Sequence, residues 1–284
     1  MIDAAKIKLY QIFYSEETRR LLDPVFIPLD NLDNPRPDWA EYWPIRNLFL
    51  STPFSDDDYV GIFSPRFSEK TGVNGQFVLD AVQSGTADIY SFSPSFDQSA
   101  IHLSPFEQGE RKHPGLISAT AELLSVLGIA LDPKRLICDH STTIFANYFV
   151  ARYSIWKAWL EIAERIFDIC ESGTLEISKR LNEATRHRGV DDYPMKIFIM
   201  ERLITILLEK EGLHAKLCLD PRLSPGTGGR SNPLLEYMII CDALKGQYKS
   251  ERMPVFLEMF KNIRAQIFTT LRIPQPAPAQ VGSS

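Results

Sequence analysis

The chain has 284 residues, of which 44% are apolar and 24% charged, and its formal net charge is −5 at pH 7. This composition is typical of a globular protein with a substantial core and excludes a disordered or fibrous chain. The acidic balance, without a basic stripe in the sequence, argues against nucleic-acid binding.

The first part of the chain alternates between strand and helix patterns. Residues 7–14 predict a mostly buried strand, after which Pro35 and Pro37 prevent regular structure up to Asp38, the expected cap of a helix that begins at Trp39. The next predicted elements are a turn at Asp56, Asp57 and Asp58, a fully buried strand at Tyr59–Phe63, a helix at 76–84 and a strand at 87–92. Such alternation indicates an α/β sheet with crossover connections.

The second part of the chain is predicted to be mainly helical. Its expected elements are an amphipathic helix at 116–127 ended by Gly128, a strand at 144–151, a helix capped by Ser154 and closed by Gly173, a buried helix at 194–211 capped by Asp191 or Asp192, a flexible loop at 220–231 and an amphipathic helix at 255–267. We expect one domain over residues 1–272 and a disordered, proline-rich tail over residues 273–284.

The chain has neither a signal-like start nor a run of about 20 apolar residues that could span a bilayer. Its four cysteines are scattered without a C-x-x-C pair, which favours small buried thiols in a reducing compartment over disulfides or zinc ligands. The sequence therefore predicts a cytoplasmic protein.

Polar residues follow the predicted strands at their carboxyl ends, where sites of open α/β sheets lie. Arg66 could pair with a phosphate or a sugar carboxylate, with Lys70 adding a donor, or it could be an ordinary surface arginine. Asp97, next to Gln98, could act as a base or form a turn. The acidic run that begins at Asp56 precedes its strand, so a solvated turn is favoured there over a Mg²⁺ or Mn²⁺ site.

The densest polar cluster spans residues 105–115, between residues that resist regular structure. Glu107, Glu110 and His113 are candidate acids, bases or hydroxyl ligands in this predicted loop. The alternative is a polar surface loop that caps the next helix. Asn147, within a predicted apolar strand, needs either backbone partners or a ligand.

Two further groups favour structural explanations. A hydrolytic triad around Asp139 and His140 would need a nucleophile elbow, and the sequence has no G-x-S-x-G motif. Glu201 and Arg202 interrupt an apolar helix, and a structural ion pair explains them better than catalysis. The glycine-rich loop near Gly226 lacks the P-loop lysine.

Four segments together resemble GT-A-like glycosyltransferases of bacterial polysaccharide synthesis. They are E-Y-W-P-I-R-N at 41–47, D-D-Y-V-G-I-F-S-P-R-F at 57–67, N-Y-F-V-A-R-Y-S-I-W-K-A-W-L at 147–160 and M-K-I-F-I-M-E-R-L at 195–203. The resemblance covers most of residues 6–210. It implies a GT-A-like (Rossmann-like) mixed sheet flanked by helices, with a helical C-terminal part.

The resemblance also implies a nucleotide-sugar donor and a saccharide or glycan acceptor. The expected donor contacts are Tyr10, Gln11, Arg66, Lys70, Gln98 and Asn147. An inverting mechanism would need one base, for which the candidates are Asp97, Glu107, Glu110 and His113. Because no D-x-D motif follows a strand, a divalent Mn²⁺ or Mg²⁺ cofactor is in doubt, and arginine or lysine could neutralise the leaving diphosphate instead. The alternative function is a non-catalytic carbohydrate-binding or scaffold protein with the same fold.

Overall fold

The computed structural model describes residues 1–187, 191–223 and 232–272. The predictions for the tail at 273–284 and for residues 224–231 of the glycine-rich loop lie outside the described residues. The four cysteines are free thiols, three of them buried, as the sequence predicts. Within the described ranges, no helix is both long and apolar enough to cross a membrane.

The sheet is mixed and has six strands in the order β2-β1-β3-β5-β4-β8, while β6 and β7 form a separate antiparallel hairpin. β5 runs antiparallel to its neighbours β3 and β4, and the other neighbouring strands are parallel. The described strands are β1 (Ile7–Phe13), β2 (Ile27–Asp30), β3 (Tyr59–Phe63), β4 (Ile89–Ser91), β5 (Phe149–Arg152), β6 (Ala184–His187), β7 (Asp191–Pro194) and β8 (Lys216–Leu217).

The strand directions define one edge of the sheet that matters for function. The parallel strands end at this edge, which we call the carboxyl edge. Because β5 is antiparallel, it begins there: Phe149 pairs with Ser91, the last residue of β4, and Val150 pairs with Gly61. Asn147 and Tyr148 therefore lie at the same edge as the residues that follow β3 and β4.

Helices cover both faces of the sheet. They are α1 (Glu16–Arg19), α2 (Tyr42–Ser51), α3 (Phe67–Thr71), α4 (Gly75–Gln83), α5 (Phe96–Ile101), α6 (Pro105–Glu110), α7 (Leu116–Leu127), α8 (Tyr153–Ser172), α9 (Glu176–Asn182), α10 (Met195–Met200), α11 (Leu203–Glu211), α12 (Leu235–Glu251) and α13 (Pro254–Leu271). This arrangement confirms the predicted mixed sheet flanked by helices and is compatible with a Rossmann-like fold.

Alternating side chains of the strands point into two cores, as the two-residue period of a strand requires. Val60 and Ile62 of β3 pack with residues of α2, α7, α8 and α11 on one face. Tyr59 and Phe63 pack with residues of α3 and α4 on the other face. A third cluster joins α5 to α12 and α13, and Phe260 lies fully buried within it.

The prediction of a helix from Trp39, capped by Asp38, is wrong. Trp39 ends a short 3-10 helix, and Ala40 then adopts φ 46° and ψ −129°, so that α2 starts only at Tyr42. Asp38 instead accepts hydrogen bonds from Arg36 and, at 2.7 Å, from the Lys196 ammonium. The sequence around Asp38 does not reveal this role, because Lys196 is distant along the chain.

The predicted helix at 194–211 is two helices, α10 and α11, separated at Glu201 and Arg202. The prediction of a cap at Asp191 or Asp192 is wrong, because both residues belong to strand β7 and Pro194 occupies the N-cap position of α10. Arg202 causes the break because its guanidinium turns back to the carbonyl oxygens of Phe198 (2.7 Å) and Pro105 (2.9 Å). Apolar periodicity alone does not reveal such an interruption.

The starts of strand β5 and helix α8 also differ from the predictions. β5 begins at Phe149 rather than at residue 144, because Ala146 and Asn147 adopt left-handed conformations with φ of 60° and 54°. α8 follows β5 directly and starts at Tyr153, so Ser154 lies inside the helix rather than capping it. Gly173, at φ 63°, ends α8 as predicted.

Candidate active site at the carboxyl edge

Hydrogen bonds from two neighbouring strands fix the turn after β3. The buried Gln11 amide donates from Nε2 to the carbonyl oxygens of Ser64 and Pro65, both at 3.3 Å. Its Oε1 accepts from the Asp23 backbone amide at 2.8 Å. The Ser64 hydroxyl is also hydrogen-bonded to the Tyr148 hydroxyl. Gln11, an expected donor contact, thus has both ends of its amide engaged in holding the carboxyl edge together.

Two cations follow this turn. Arg66 keeps 55% of its side chain exposed, and its Nε donates to Glu69 Oε2 at 2.8 Å. The Lys70 ammonium lies 5.6 Å from the centroid of the Tyr148 ring, and among the described residues it forms no ion pair. Both predicted cations therefore lie at the carboxyl edge, and the charge of Lys70 is not neutralised by a carboxylate in contact with it.

Glu41, which the sequence did not single out, is electrostatically coupled to these groups. Burial and, to a smaller extent, the nearby Glu201 carboxylate raise the pKa of its carboxyl to about 7, against a lowering contribution from Lys70. Glu41 in turn contributes to the raised pKa of Tyr148. Its side chain keeps limited contact with solvent and has no hydrogen bond or ion pair to any described residue. A carboxyl group of this kind is a candidate general base.

The backbone around Glu41 is strained on one side and anchored on the other. Ala40 has a positive φ that a residue with a Cβ rarely adopts, and such strain concentrates at functional sites. The helix that follows is fixed to α8, because Arg46 donates from Nε and Nη2 to the two oxygens of Glu164, each at 2.8 Å. Tyr42 donates to the same carboxylate. A rigid element therefore positions Glu41.

Asn147 has the strongest structural indication of a ligand contact among the predicted donor residues. Its side chain is 5% exposed, and its Oδ1 is buried without a hydrogen-bond partner among the described residues. A buried acceptor left unpaired costs about 1–3 kcal/mol. Since Asn147 and Ala146 also occupy consecutive left-handed conformations, the structure retains both an unpaired acceptor and local strain at the carboxyl edge.

Asp97 and Gln98 lie in the first turn of α5, which follows β4. Burial raises the pKa of Asp97, against hydrogen bonding from Gln98 and a smaller contribution from Lys112. Gln98 Nε2 donates to Asp97 Oδ2 at 2.6 Å. The two residues are thus paired with each other at the end of a parallel strand, where they were predicted.

The predicted loop at 105–115 is partly helical, because Pro105 occupies the first turn of α6 and Ser104 caps it. Glu107 accepts from the Leu103 backbone amide at 2.6 Å and pairs with Arg264 at 3.0 Å. Glu110 accepts from the backbone amides of residues 115 and 117, each at 2.7 Å, at the start of α7. Both carboxylates therefore hold helices in place, and their catalytic role remains a prediction that these contacts disfavour.

His113 and Tyr10 are also placed in packed surroundings. The His113 ring is 3% exposed and stacks on Phe198, with 3.5 Å between the ring centroids. Tyr10 packs in the core with its ring edge-to-face against Phe54. The pKa of Tyr10 is raised by burial and, less, by Asp58.

The acidic triplet before β3 is the surface turn that the sequence predicts. Asp56 pairs with Lys157 at 2.6 Å and Asp57 with Arg152 at 2.8 Å. Glu201 forms the predicted ion pair with Arg202, at 3.7 Å, although its side chain is 47% exposed. Its charge contributes to the raised pKa of Glu41.

Among residues 1–187, 191–223 and 232–272, no three His, Cys, Asp or Glu side chains are grouped to hold a metal ion. The described residues therefore offer no site in which protein side chains alone would hold a divalent cation. A comparison of the chain with protein-family models, with curated proteins and with solved structures finds no match.

Proposed function

We propose that the chain is a glycosyltransferase that moves a sugar from a nucleotide-sugar donor to a saccharide acceptor, with Glu41 as its general base. The observation that carries this proposal is the Glu41 carboxyl: its pKa is raised to about 7, and it has no hydrogen-bond or ion-pair partner among the described residues. A mixed sheet with polar groups at its carboxyl edge supports a nucleotide-binding arrangement. The segment resemblances at 41–47 and 57–67 point to the same class.

The proposed reaction is a single displacement. The ionised Glu41 carboxylate removes the proton of an acceptor hydroxyl, whose oxygen forms a bond to the anomeric carbon of the donor. The bond between that carbon and the diphosphate oxygen breaks, and the nucleoside diphosphate leaves with the electron pair. A base with a pKa near the working pH combines the ionised form with useful basicity.

The other residues at the carboxyl edge bind and orient the donor. Lys70 and Arg66 neutralise the charge that develops on the leaving diphosphate. Asn147 Oδ1 accepts a hydrogen bond from a sugar or ribose hydroxyl, which satisfies the buried acceptor. Asp97 and Gln98 exchange their mutual hydrogen bond for contacts with hydroxyl groups of a bound sugar.

A thermal-shift panel of nucleotide sugars, read with and without Mn²⁺, tests donor binding. We expect at least one donor to raise the melting temperature, and a radiolabelled form of that donor to give a glycan product or, without acceptor, slow hydrolysis. Stabilisation by oligosaccharides but by no nucleotide sugar would contradict the proposal and favour the non-catalytic carbohydrate-binding alternative.

The charges around Glu41 should move the pH dependence of transfer in opposite directions. Activity should rise with pH as Glu41 ionises, with a midpoint near its pKa of about 7. Glu201→Gln removes a repelling charge and should lower that midpoint by roughly half a pH unit, whereas Lys70→Met should raise it by a similar amount. The measurement is kcat/KM against pH.

A matched control for these variants is Glu236→Gln, which removes an exposed carboxylate on α12. It should leave the midpoint unchanged. A midpoint shift in Glu236→Gln equal to that in Glu201→Gln would mean that net charge, rather than the local field at Glu41, sets the pH dependence. Equal midpoints in wild type, Glu201→Gln and Lys70→Met would rule out Glu41 as the titrating base.

A further inference from the structure

A second cavity lies apart from the residues named above for transfer. It has a volume of about 260 Å³ and lies between the segment at 134–137, the end of α12 and the first half of α13. Its apolar lining includes the buried side chains of Leu103 and Leu257 and the half-buried Tyr248. None of its lining residues is shared with the carboxyl-edge groups.

The charged lining of this cavity is strongly one-sided. It comprises five cations and one carboxylate, in a protein whose formal net charge is −5: Lys134, Arg135, Lys249, Arg252, Lys261 and Glu209. The carboxylate is already used, because Glu209 pairs with Lys249 at 2.7 Å. Among the described residues, the four remaining cations form no ion pair. Lys134, Arg135 and Arg252 are exposed and line the same cavity as Lys261, so their charges together make a positive potential that favours a bound anion.

The backbone position of Arg252 allows its side chain to be removed without a cost in folding. Arg252 ends α12 with φ 57° and ψ 20°, the left-handed position that glycine most often occupies. An arginine there carries a backbone cost that glycine would avoid. Its guanidinium lies 6.0 Å from the centroid of the Tyr248 ring, at the wall of the cavity.

We propose that this cavity binds an organic phosphate, a phosphoryl group attached to an apolar or aromatic body. Cations from three separate segments can surround a dianion, and the guanidinium groups of Arg135 and Arg252 can each donate two parallel hydrogen bonds to phosphate oxygens. Leu103, Leu257 and the Tyr248 ring contact the apolar body. The volume suits a small ligand of this kind rather than a polymer.

The test is isothermal titration of the full chain with phenyl phosphate, with inorganic phosphate and phenol as partial probes. We expect saturable binding of phenyl phosphate that weakens as NaCl increases, weaker binding of inorganic phosphate and none of phenol. Arg252→Gly should weaken phenyl phosphate binding about tenfold or more. Because glycine suits the left-handed position, this variant should fold at least as stably as the wild type, so lost binding would not reflect unfolding.

The matched control is Arg272→Gly. Arg272 ends α13 with φ 54°, also left-handed, but does not line the cavity. Arg272→Gly removes the same charge from the same backbone conformation and should leave the affinity for phenyl phosphate unchanged. Equal losses in both variants, or no saturable binding to the wild type, would overturn the proposal. Binding to anionic phospholipid vesicles but not to phenyl phosphate would overturn it too, since it would indicate a membrane-facing surface. These outcomes are independent of whether Glu41 is a catalytic base.

Discussion

Glu41→Gln is expected to abolish sugar transfer while raising the free energy of unfolding at pH 8 by about 3 kcal/mol. The pKa of Glu41 is raised from 4.5 to about 7 in the folded protein. Each unit of difference corresponds to about 1.4 kcal/mol between the folded and unfolded states. A neutral amide of the same shape avoids the cost of an ionised carboxylate in a poorly solvated environment. Loss of activity with a gain of stability would indicate that the carboxylate is kept for function.

The direction of this stability change follows from the pH at which Glu41 loses its proton in the folded and in the unfolded protein. Below pH 4.5, the Glu41 carboxyl is protonated in both states, so it contributes no penalty. Between pH 4.5 and about 7, the unfolded state ionises first, and the folded state loses relative stability as the pH rises. Above pH 7 the penalty is complete. The stabilisation by Glu41→Gln should therefore be absent at pH 4 and full at pH 8.

Urea unfolding at both pH values measures this difference. Glu164→Gln is the matched control, because Glu164 is a carboxylate with partners: it accepts from Arg46 and Tyr42. It should lower stability at pH 8, since those donors lose a charged acceptor. A destabilised or fully active Glu41→Gln protein would contradict the role assigned to Glu41.

Strands and helix ends that depend on neighbouring residues alone could be predicted from the sequence. The apolar run at Tyr59–Phe63 is strand β3 with the predicted bounds, and Gly128 and Gly173 end α7 and α8 in left-handed conformations. Cap assignments that depended on distant partners failed. Asp38 is bound by Lys196, 158 residues away, and is no helix cap.

The candidate site was only partly predictable for the same reason. Arg66 follows a predicted strand, so the sequence could place it at the carboxyl edge. Asn147 was predicted inside a strand, and only the later start and antiparallel direction of β5 place it at that edge. Glu107 and Glu110 lie in a polar segment that is typical of a catalytic loop. In the structure, however, their carboxylates accept hydrogen bonds from backbone amides at the start of a helix. Glu41 carries no local signal, because its raised pKa arises from folding and from Glu201, which is remote in sequence.

The described carboxylates thus divide by whether the fold supplies them with donors. Glu107, Glu110 and Glu164 are bound by backbone amides or arginines, which stabilises their ionised form without leaving it available. Among the described residues, Glu41 has no such donor, and Asp97 is hydrogen-bonded by Gln98 and by its own backbone amide. A general base needs a pKa near the working pH and a carboxylate oxygen that is free to accept a proton. Glu41 and Asp97 are therefore the carboxylates to test first.

Trp156→Ala is expected to cost about 3–5 kcal/mol of unfolding free energy, the largest loss from a single core truncation that we predict. The Trp156 ring is fully buried and stacks on Phe149, with 4.3 Å between centroids and 17° between planes. Its Nε1 donates to the Val60 carbonyl oxygen at 2.8 Å. One side chain therefore joins α8 to two central strands, and its removal leaves both a cavity and an unpaired buried acceptor.

Two variants separate the contributions to this loss in urea unfolding. Trp156→Phe keeps a ring against Phe149 but cannot donate to Val60, so its cost should be about 1–3 kcal/mol. Trp43→Ala removes a tryptophan of α2 that is only partly buried, and it should cost less than Trp156→Ala. Since Phe149 adjoins Tyr148, and β3 leads to Ser64, the Trp156 variants should also loosen the carboxyl edge and weaken donor binding. Equal costs for Trp43→Ala and Trp156→Ala would show that α8 is not the element that fixes these strands.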